Sequence, residues 1–339
     1  MSAEASPQMP RAEIGRRRRG AWAILAVLAG LVAGLLLSEG LIRLSFPAFD
    51  PASRFEFTYP VGSLVLGQPG TDTRQIENSG DYDVSVRINS HGLRDAGDVA
   101  TAGSDDILVV GSSFAWGWGV EAQDRFSDQL QILTGRRTFN LSAATDIDGY
   151  AALLAYAKTL ESRAGRVVIA VAMEHDLPHP RPSEQRPGGA PSLNEWLSRH
   201  SALYLLAVTT IQQTPWLRAI AVKAGLIVPN LEGIAGNGYD PAIIDASANR
   251  LQDIADRYRT LVVLIPSRAL WVGDARSVED RVHTAFIVAL QRRGIDVLDL
   301  QPVLEAQGAP LSYYFANDGH WNAGGHALAA RAISQHLAR

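Results

Sequence analysis

From residue 106 to the end, short apolar runs alternate with longer segments whose apolar residues recur three and four apart. The runs are ILVVG (107–111), TFNLS (138–142), VVIAVA (167–172), LVVLIP (261–266) and IDVLDL (295–300). Helical periodicity covers about 122–134, 148–163, 243–258, 277–293 and 323–338, with Phe126, Leu130 and Leu133 marking one such face. Neighbouring parallel strands need a long crossover, usually a helix, whereas antiparallel strands need only a tight turn. The alternation therefore predicts an α/β fold: a three-layer α/β/α sandwich around a parallel sheet of about five strands, buried on both faces.

Two regions lie outside that rhythm. Residues 45–105 hold turn formers and short β-like runs such as FEFTY and VSVRI, which predict a small β-rich lead-in to the main domain at 106–339. Residues 177–192, LPHPRPSEQRPGGAPS, form a proline- and arginine-rich loop, and 193–225 predict one or two extra helices. Together they read as a helical insertion at about 177–240. Its Leu, Tyr and Trp residues are expected to pack on the main domain, with contact to a membrane surface or a partner as the alternative.

The N-terminus sets the compartment. AWAILAVLAGLVAGLLLS, residues 21–38, carries no charge over eighteen residues, and a helix rising about 1.5 Å per residue nearly crosses a hydrocarbon core of about 30 Å at that length. A transmembrane signal anchor is expected at 21–44, after a cytoplasmic tail at 1–20. Arg16–Arg19 precede it, so the positive-inside rule keeps the N-terminus cytoplasmic and exports the rest as a single-pass protein of the inner membrane facing the periplasm. A cleaved signal peptide is the rival reading, but the run ends LLLSEGLIRL, without an A-x-A-like site. With a net charge of −4 and no basic stripe, no nucleic-acid partner is expected. The absence of cysteine removes disulfides and thiolate chemistry.

Ligands of an open parallel sheet collect beyond the carboxyl ends of its strands. The polar residues found there are Ser112 and Ser113; Ser142, Thr145 and Asp146; Glu174, His175 and Asp176; and finally the stretch NDGHWNAGGH (317–326). A serine hydroxyl needs a base to become a nucleophile, and the base needs a group fixing its tautomer. In a turn before a helix capped by Asn322, Asp318 can hold Nδ1 of His320 and leave Nε2 for a serine. Glu174 and Asp176 read as solvated loop carboxylates, although Asp176 could brace its turn. His175, His179, His320 and His326 match no compact ligand pattern, so neither a metal nor another cofactor is expected. Trp116 and Trp118 read either as core caps or as a platform on which sugar rings stack.

Four stretches, SHGLRD (90–95), ILVVGSSFAWGWGV (107–120), FNLSAATDIDGY (139–150) and DGHWNAGGHALA (318–329), carry a family resemblance. In them, residues 90–330 resemble the SGNH or GDSL-like hydrolases, whose fold is flavodoxin-like, and above all their membrane-anchored extracytoplasmic members and polysaccharide O-acetyltransferases. The resemblance implies Ser113 as nucleophile, with Asp318 and His320 in the short D-x-H spacing of that branch. It also implies an oxyanion hole built from the backbone of Ser113, the backbone of Thr145 at the family's glycine position, and His175 at the position of its asparagine. Ser112 stands where the family has aspartate, and MEHD replaces its G-x-N-D block. The implied activity is that of an esterase or O-acetyltransferase acting on a cell-envelope or exported polysaccharide, with export proteins as possible partners. The departures keep open a degenerate member that binds glycan or a secretion-complex partner.

Overall fold

The computed structural model describes residues 11–177, 192–227 and 239–339. Its contacts separate two compact units, Met1–Ser53 with Pro191–Ala207, and Arg54–Ala190 with Val208–Arg339.

The larger unit opens with two antiparallel hairpins, β1 (Phe57–Val61) with β2 (Leu64–Gly67) and β3 (Asp72–Ile76) with β4 (Asp83–Arg87). The five runs of the alternating region then form β5 (Ile107–Gly111), β6 (Thr138–Asn140), β7 (Arg166–Ala172), β8 (Arg259–Ile265) and β9 (Asp296–Asp299). They make one parallel sheet in the order β6-β5-β7-β8-β9. This is the parallel five-strand α/β sheet that the alternation predicts.

Strand alternation sends side chains to two cores. Leu108, Val110, Ile169 and Val262 meet Leu153 of α4 (Ile147–Thr159), Leu251 of α8 (Pro241–Ala255) and Phe286 of α9 (Arg276–Arg292). Ile107, Val109, Val168 and Val263 meet Phe126 and Leu130 of α3 (Phe126–Thr134) and Ile333 of α11 (Ala323–Leu337). Because α3 and α4 cover opposite faces, the chain leaves β5 toward β6 on one side and crosses to β7 on the other. The strand order thus reverses at β5, and the crevice that reversal opens lies at its carboxyl end.

The insertion forms three helices where one or two were expected: α5 (Leu193–His200), α6 (Ala202–Gln213) and α7 (Pro215–Lys223). Ser201 and the Thr214–Pro215 pair break the run, since proline lacks the N–H that would continue a helix. The parts of the expected insertion at 178–191 and 228–238, including His179, lie outside the described residues. In the smaller unit the long helix α1 (Arg11–Ser45) contains a span, Trp22–Ser45, apolar enough to cross a membrane. The Glu39 carboxylate accepts the N–H groups of Ala202 (2.8 Å) and Leu203 (3.0 Å) and the Ser201 hydroxyl (2.9 Å). It thereby satisfies orphan donors at the start of α6, where an anion also suits the helix dipole. Arg43 clasps Glu39 (2.8 Å), Asp50 (3.0 Å) and the His200 carbonyl (2.7 Å).

Asp176 is not the solvated carboxylate expected from its loop position. It is 1 % exposed, and its Oδ2 accepts the Ala172 N–H and the Tyr150 hydroxyl, each at 2.6 Å, which closes the turn after β7. Burial pushes its carboxyl up to about 7, against those hydrogen bonds. The folded chain thus keeps a proton that the unfolded chain releases near pH 4, so this group favours folding less as pH rises from about 4 to about 7. Denaturant titrations should show wild type losing stability relative to Asp176→Asn across that window and no further change above it; a constant difference would refute the assignment.

Candidate active site

β5 ends at Gly111, where any side chain would be blocked: a Cβ would stand 2.6 Å from the Ala115 Cβ and 2.7 Å from the Ala170 carbonyl. This close approach lets the chain turn at once into the short helix α2 (Ser113–Trp116). Ser112 is buried against Tyr150 and Asp176, while Ser113, the first helical residue, faces the crevice. The two serines are therefore not equivalent.

The Ser113 Oγ lies 2.7 Å from His320 Nε2, and His320 Nδ1 lies 2.5 Å from Asp318 Oδ1. A carboxylate can only accept, so the Nδ1 proton faces Asp318 and Nε2 is left to accept the serine O–H. Asp318 Oδ1 also accepts the backbone N–H of His320 (2.8 Å), closing a tight turn over two residues. Burial favours the neutral acid, but the hydrogen bonds and charge of His320 outweigh it and hold the Asp318 carboxyl below its usual range. Gly319 between them leaves room for the Arg268 guanidinium, which a Cβ there would meet at 2.7 Å. Downstream, Asn322 caps α11 by accepting the Gly325 N–H (3.2 Å).

Sequence reasoning missed the next shell. Tyr82, just before β4, donates its hydroxyl to Asp318 Oδ2 (3.1 Å) and accepts the indole N–H of Trp118 (2.7 Å). Burial and the Asp318 charge hold the Tyr82 phenol above its ordinary value, so it remains a donor. Trp118 stacks on His320, with centroids 5.6 Å apart, and Phe114 lies 4.9 Å from the same ring. Asp81 accepts both the backbone and the side-chain N–H of Asn317 (2.6 and 2.9 Å). No local motif marks Tyr82 or Asp81; they reach the site across 236 residues of chain.

The SHGLRD stretch has a structural job. Arg94 donates to the carbonyls of Gly117 (2.6 Å), Val120 (2.7 Å) and Ser85 (2.9 Å), and Asp95 accepts the Asn140 N–H (2.6 Å). Asn140 in turn donates to the Ala115 carbonyl (2.6 Å). These bonds fix the loop that follows Ser113.

Several expected roles change. Trp116 is only 1 % exposed, stacked on Phe55 at 4.8 Å beneath Arg94, so it belongs to the core and offers no sugar platform. Trp118 is half-buried and has His320 and Phe57 as its stacking partners. The Thr145 N–H, expected to point at an oxyanion, donates to the Ala143 carbonyl (2.9 Å), because the 143–145 turn folds back on itself and its side chain crowds Gly149. Glu174 is not solvated: it is ion-paired with Arg268 at 2.5 Å, and burial of both makes that pairing obligatory. His175 keeps a 56 % exposed ring, 3.4 Å from Glu174 Oε1. Desolvation and the charges of His320 and Arg268 draw it below the ordinary imidazole value against the pull of Glu174. The charges it feels from His320 and Asp318 place it beside the site.

Residues 248–339 match the family model described as SGNH hydrolase-like domain, acetyltransferase AlgX. The chain resembles the SGNH hydrolases. The matched part contains Asp318 and His320; Ser113 lies upstream of it. Among curated proteins, none matches the chain. Solved structures similar to it include a G-D-S-L-family lipolytic protein from Veillonella parvula, at 11% identity, 69% of this chain, 98% of that one and TM-score 0.43. A catalytic mutant of an acetylxylan esterase from Geobacillus stearothermophilus aligns at 9% identity, 70% of this chain, 96% of that one and TM-score 0.41.

A short charge-assisted bond deshields its proton. Proton NMR with labelled histidine should show a far-downfield His320 Nδ1–H resonance that vanishes in Asp318→Ala. In Tyr82→Phe, with one donor to the carboxylate removed, the resonance should move further downfield; an unchanged shift would separate Tyr82 from the network.

Proposed function

We propose that the chain is a membrane-anchored serine esterase or O-acyltransferase that works outside the cytoplasm on ester groups of a cell-envelope or exported polysaccharide. The observation that carries this reading is the hydrogen-bonded series Ser113–His320–Asp318 at the carboxyl edge of the sheet. The family description of residues 248–339 supports acyl chemistry, and the span Trp22–Ser45 behind Arg16–Arg19 supports an anchor with its N-terminus in the cytoplasm.

In this mechanism His320 Nε2 takes the Ser113 proton as Oγ attacks the ester carbonyl carbon, and Asp318 stabilises the imidazolium that forms. The Ser113 N–H and the His175 ring donate to the oxyanion. Collapse of the tetrahedral intermediate expels the alcohol, which leaves with the proton held by His320, and the acyl group stays on Ser113. Water, or a sugar hydroxyl in a transferase, then repeats the sequence: His320 removes its proton, and the acyl group passes to it from Ser113. A second reading, a non-catalytic protein that binds glycan or a secretion partner, is favoured by the turned-away N–H of Thr145.

Hydrolysis of an activated acetyl ester by the purified full chain decides between them. Ser113→Ala and His320→Ala should each lower kcat by about 10³-fold or more, and His175→Ala by about 10²-fold, the size of one lost oxyanion donor. Turnover unchanged in Ser113→Ala would sink the nucleophile assignment. For a transferase, an added acceptor glycan should consume acyl groups faster than water does.

A further inference from the structure

We infer that α5 is an interfacial helix that lies on the outer leaflet of the same bilayer that α1 spans. The inference rests on the reading of α1 as an anchor. Around α5 the residues separate cleanly: Leu193, Trp196, Leu197 and His200 fall on one arc, and Asn194, Glu195, Ser198 and Arg199 on the other. Leu197 is half-buried, whereas Leu193 and Trp196 are 70 % and 49 % exposed. Trp196 stacks on His200 at 4.9 Å, so the exposed apolar face is one continuous ring surface with Leu193 a turn away.

The position of that face is set by α1. Counting about 20 residues for a hydrocarbon core of about 30 Å from Trp22 puts the far boundary near residue 41, between Glu39 and Arg43. Those are the two side chains that clasp the α5–α6 junction through Ser201, Ala202, Leu203 and the His200 carbonyl. Trp196 lies four residues before His200, or about 6 Å along the helix axis. Whatever the tilt of α5, Trp196 therefore lies no more than that from the level of the clasped junction, within a headgroup layer about 5–8 Å deep on each side. Tryptophan with an arginine on the flanking polar arc suits this layer, where an indole buries its ring and keeps its N–H wet. Leu41 at that boundary and Leu44 and Phe46 just beyond it are likewise exposed and apolar, an apolar surface that reaches the same headgroup layer as α5.

The cysteine-free sequence makes the test direct. Full-length Leu193→Cys, Trp196→Cys, Asn194→Cys and Leu31→Cys would each carry an environment-sensitive fluorophore in phosphatidylcholine–phosphatidylglycerol nanodiscs containing nitroxide lipids. Labels at 193 and 196 should be quenched by headgroup-proximal nitroxide about twofold or more over the label at 194, since an apolar face sits about 5–10 Å into the boundary. The label at 31 should respond most to nitroxide deep in the acyl chains. Equal quenching at 193, 194 and 196 with position 31 still quenched overturns the inference and leaves the anchor intact. An unquenched label at 31 overturns the anchor reading itself. Protection at 193 and 196 that depends on protein density instead of nitroxide would assign the face to a second copy of the chain and overturn the lipid assignment.

Discussion

The Asp318 carboxylate is where distant parts of the chain meet. One oxygen holds the His320 ring and backbone, and through that ring Ser113 at the end of β5; the other accepts the Tyr82 hydroxyl from the lead-in. A carboxylate sharing its lone pairs among several donors is rigid as well as acidic, because any rotation breaks more than one bond. The ring it holds is also walled by Trp118 and Phe114. Hairpin, first strand and penultimate loop thus depend on one another through a single charged group.

The sheet was legible because strand and helix periods differ, and a run such as ILVVG, apolar at every position, fits only a strand covered on both faces. The gathering of a serine with Asp318 and His320 was legible because topology brings the ends of all parallel strands to one edge, and the choice of Ser113 over Ser112 came from the family resemblance. What stayed hidden was set by tertiary partners. Nothing around Tyr82 announces a hydroxyl aimed at a residue far along the chain. Nothing in WGWG separates a Trp116 sealed beneath Arg94 from a Trp118 that leans on His320. Glu174 looked solvated because its partner, Arg268, lies after another strand. Thr145 follows the second strand of the sheet, but the direction of its N–H is a property of one turn's dihedrals, which residue identity does not fix.

Around Ser113, Asp318 and His320 the loops are held by buried charges. Arg94, Asp95, Arg125, Glu174 and Arg268 are each sequestered with carbonyls, N–H groups or an opposite charge. Such groups add little net stability, since desolvation offsets most of the attraction, yet each tolerates few alternative arrangements. They therefore act mainly by excluding other loop conformations, which suits a site whose geometry is set by turns.

Glu39 carries a consequence for maturation. The acceptor that completes the first turn of α6 sits on α1, inside its apolar span. A peptidase cutting after the span Trp22–Ser45 would remove that carboxylate and leave the Ala202 and Leu203 amides without it. The apolar segment is thus a working part of the folded smaller unit, and its removal would come at the expense of that unit's architecture.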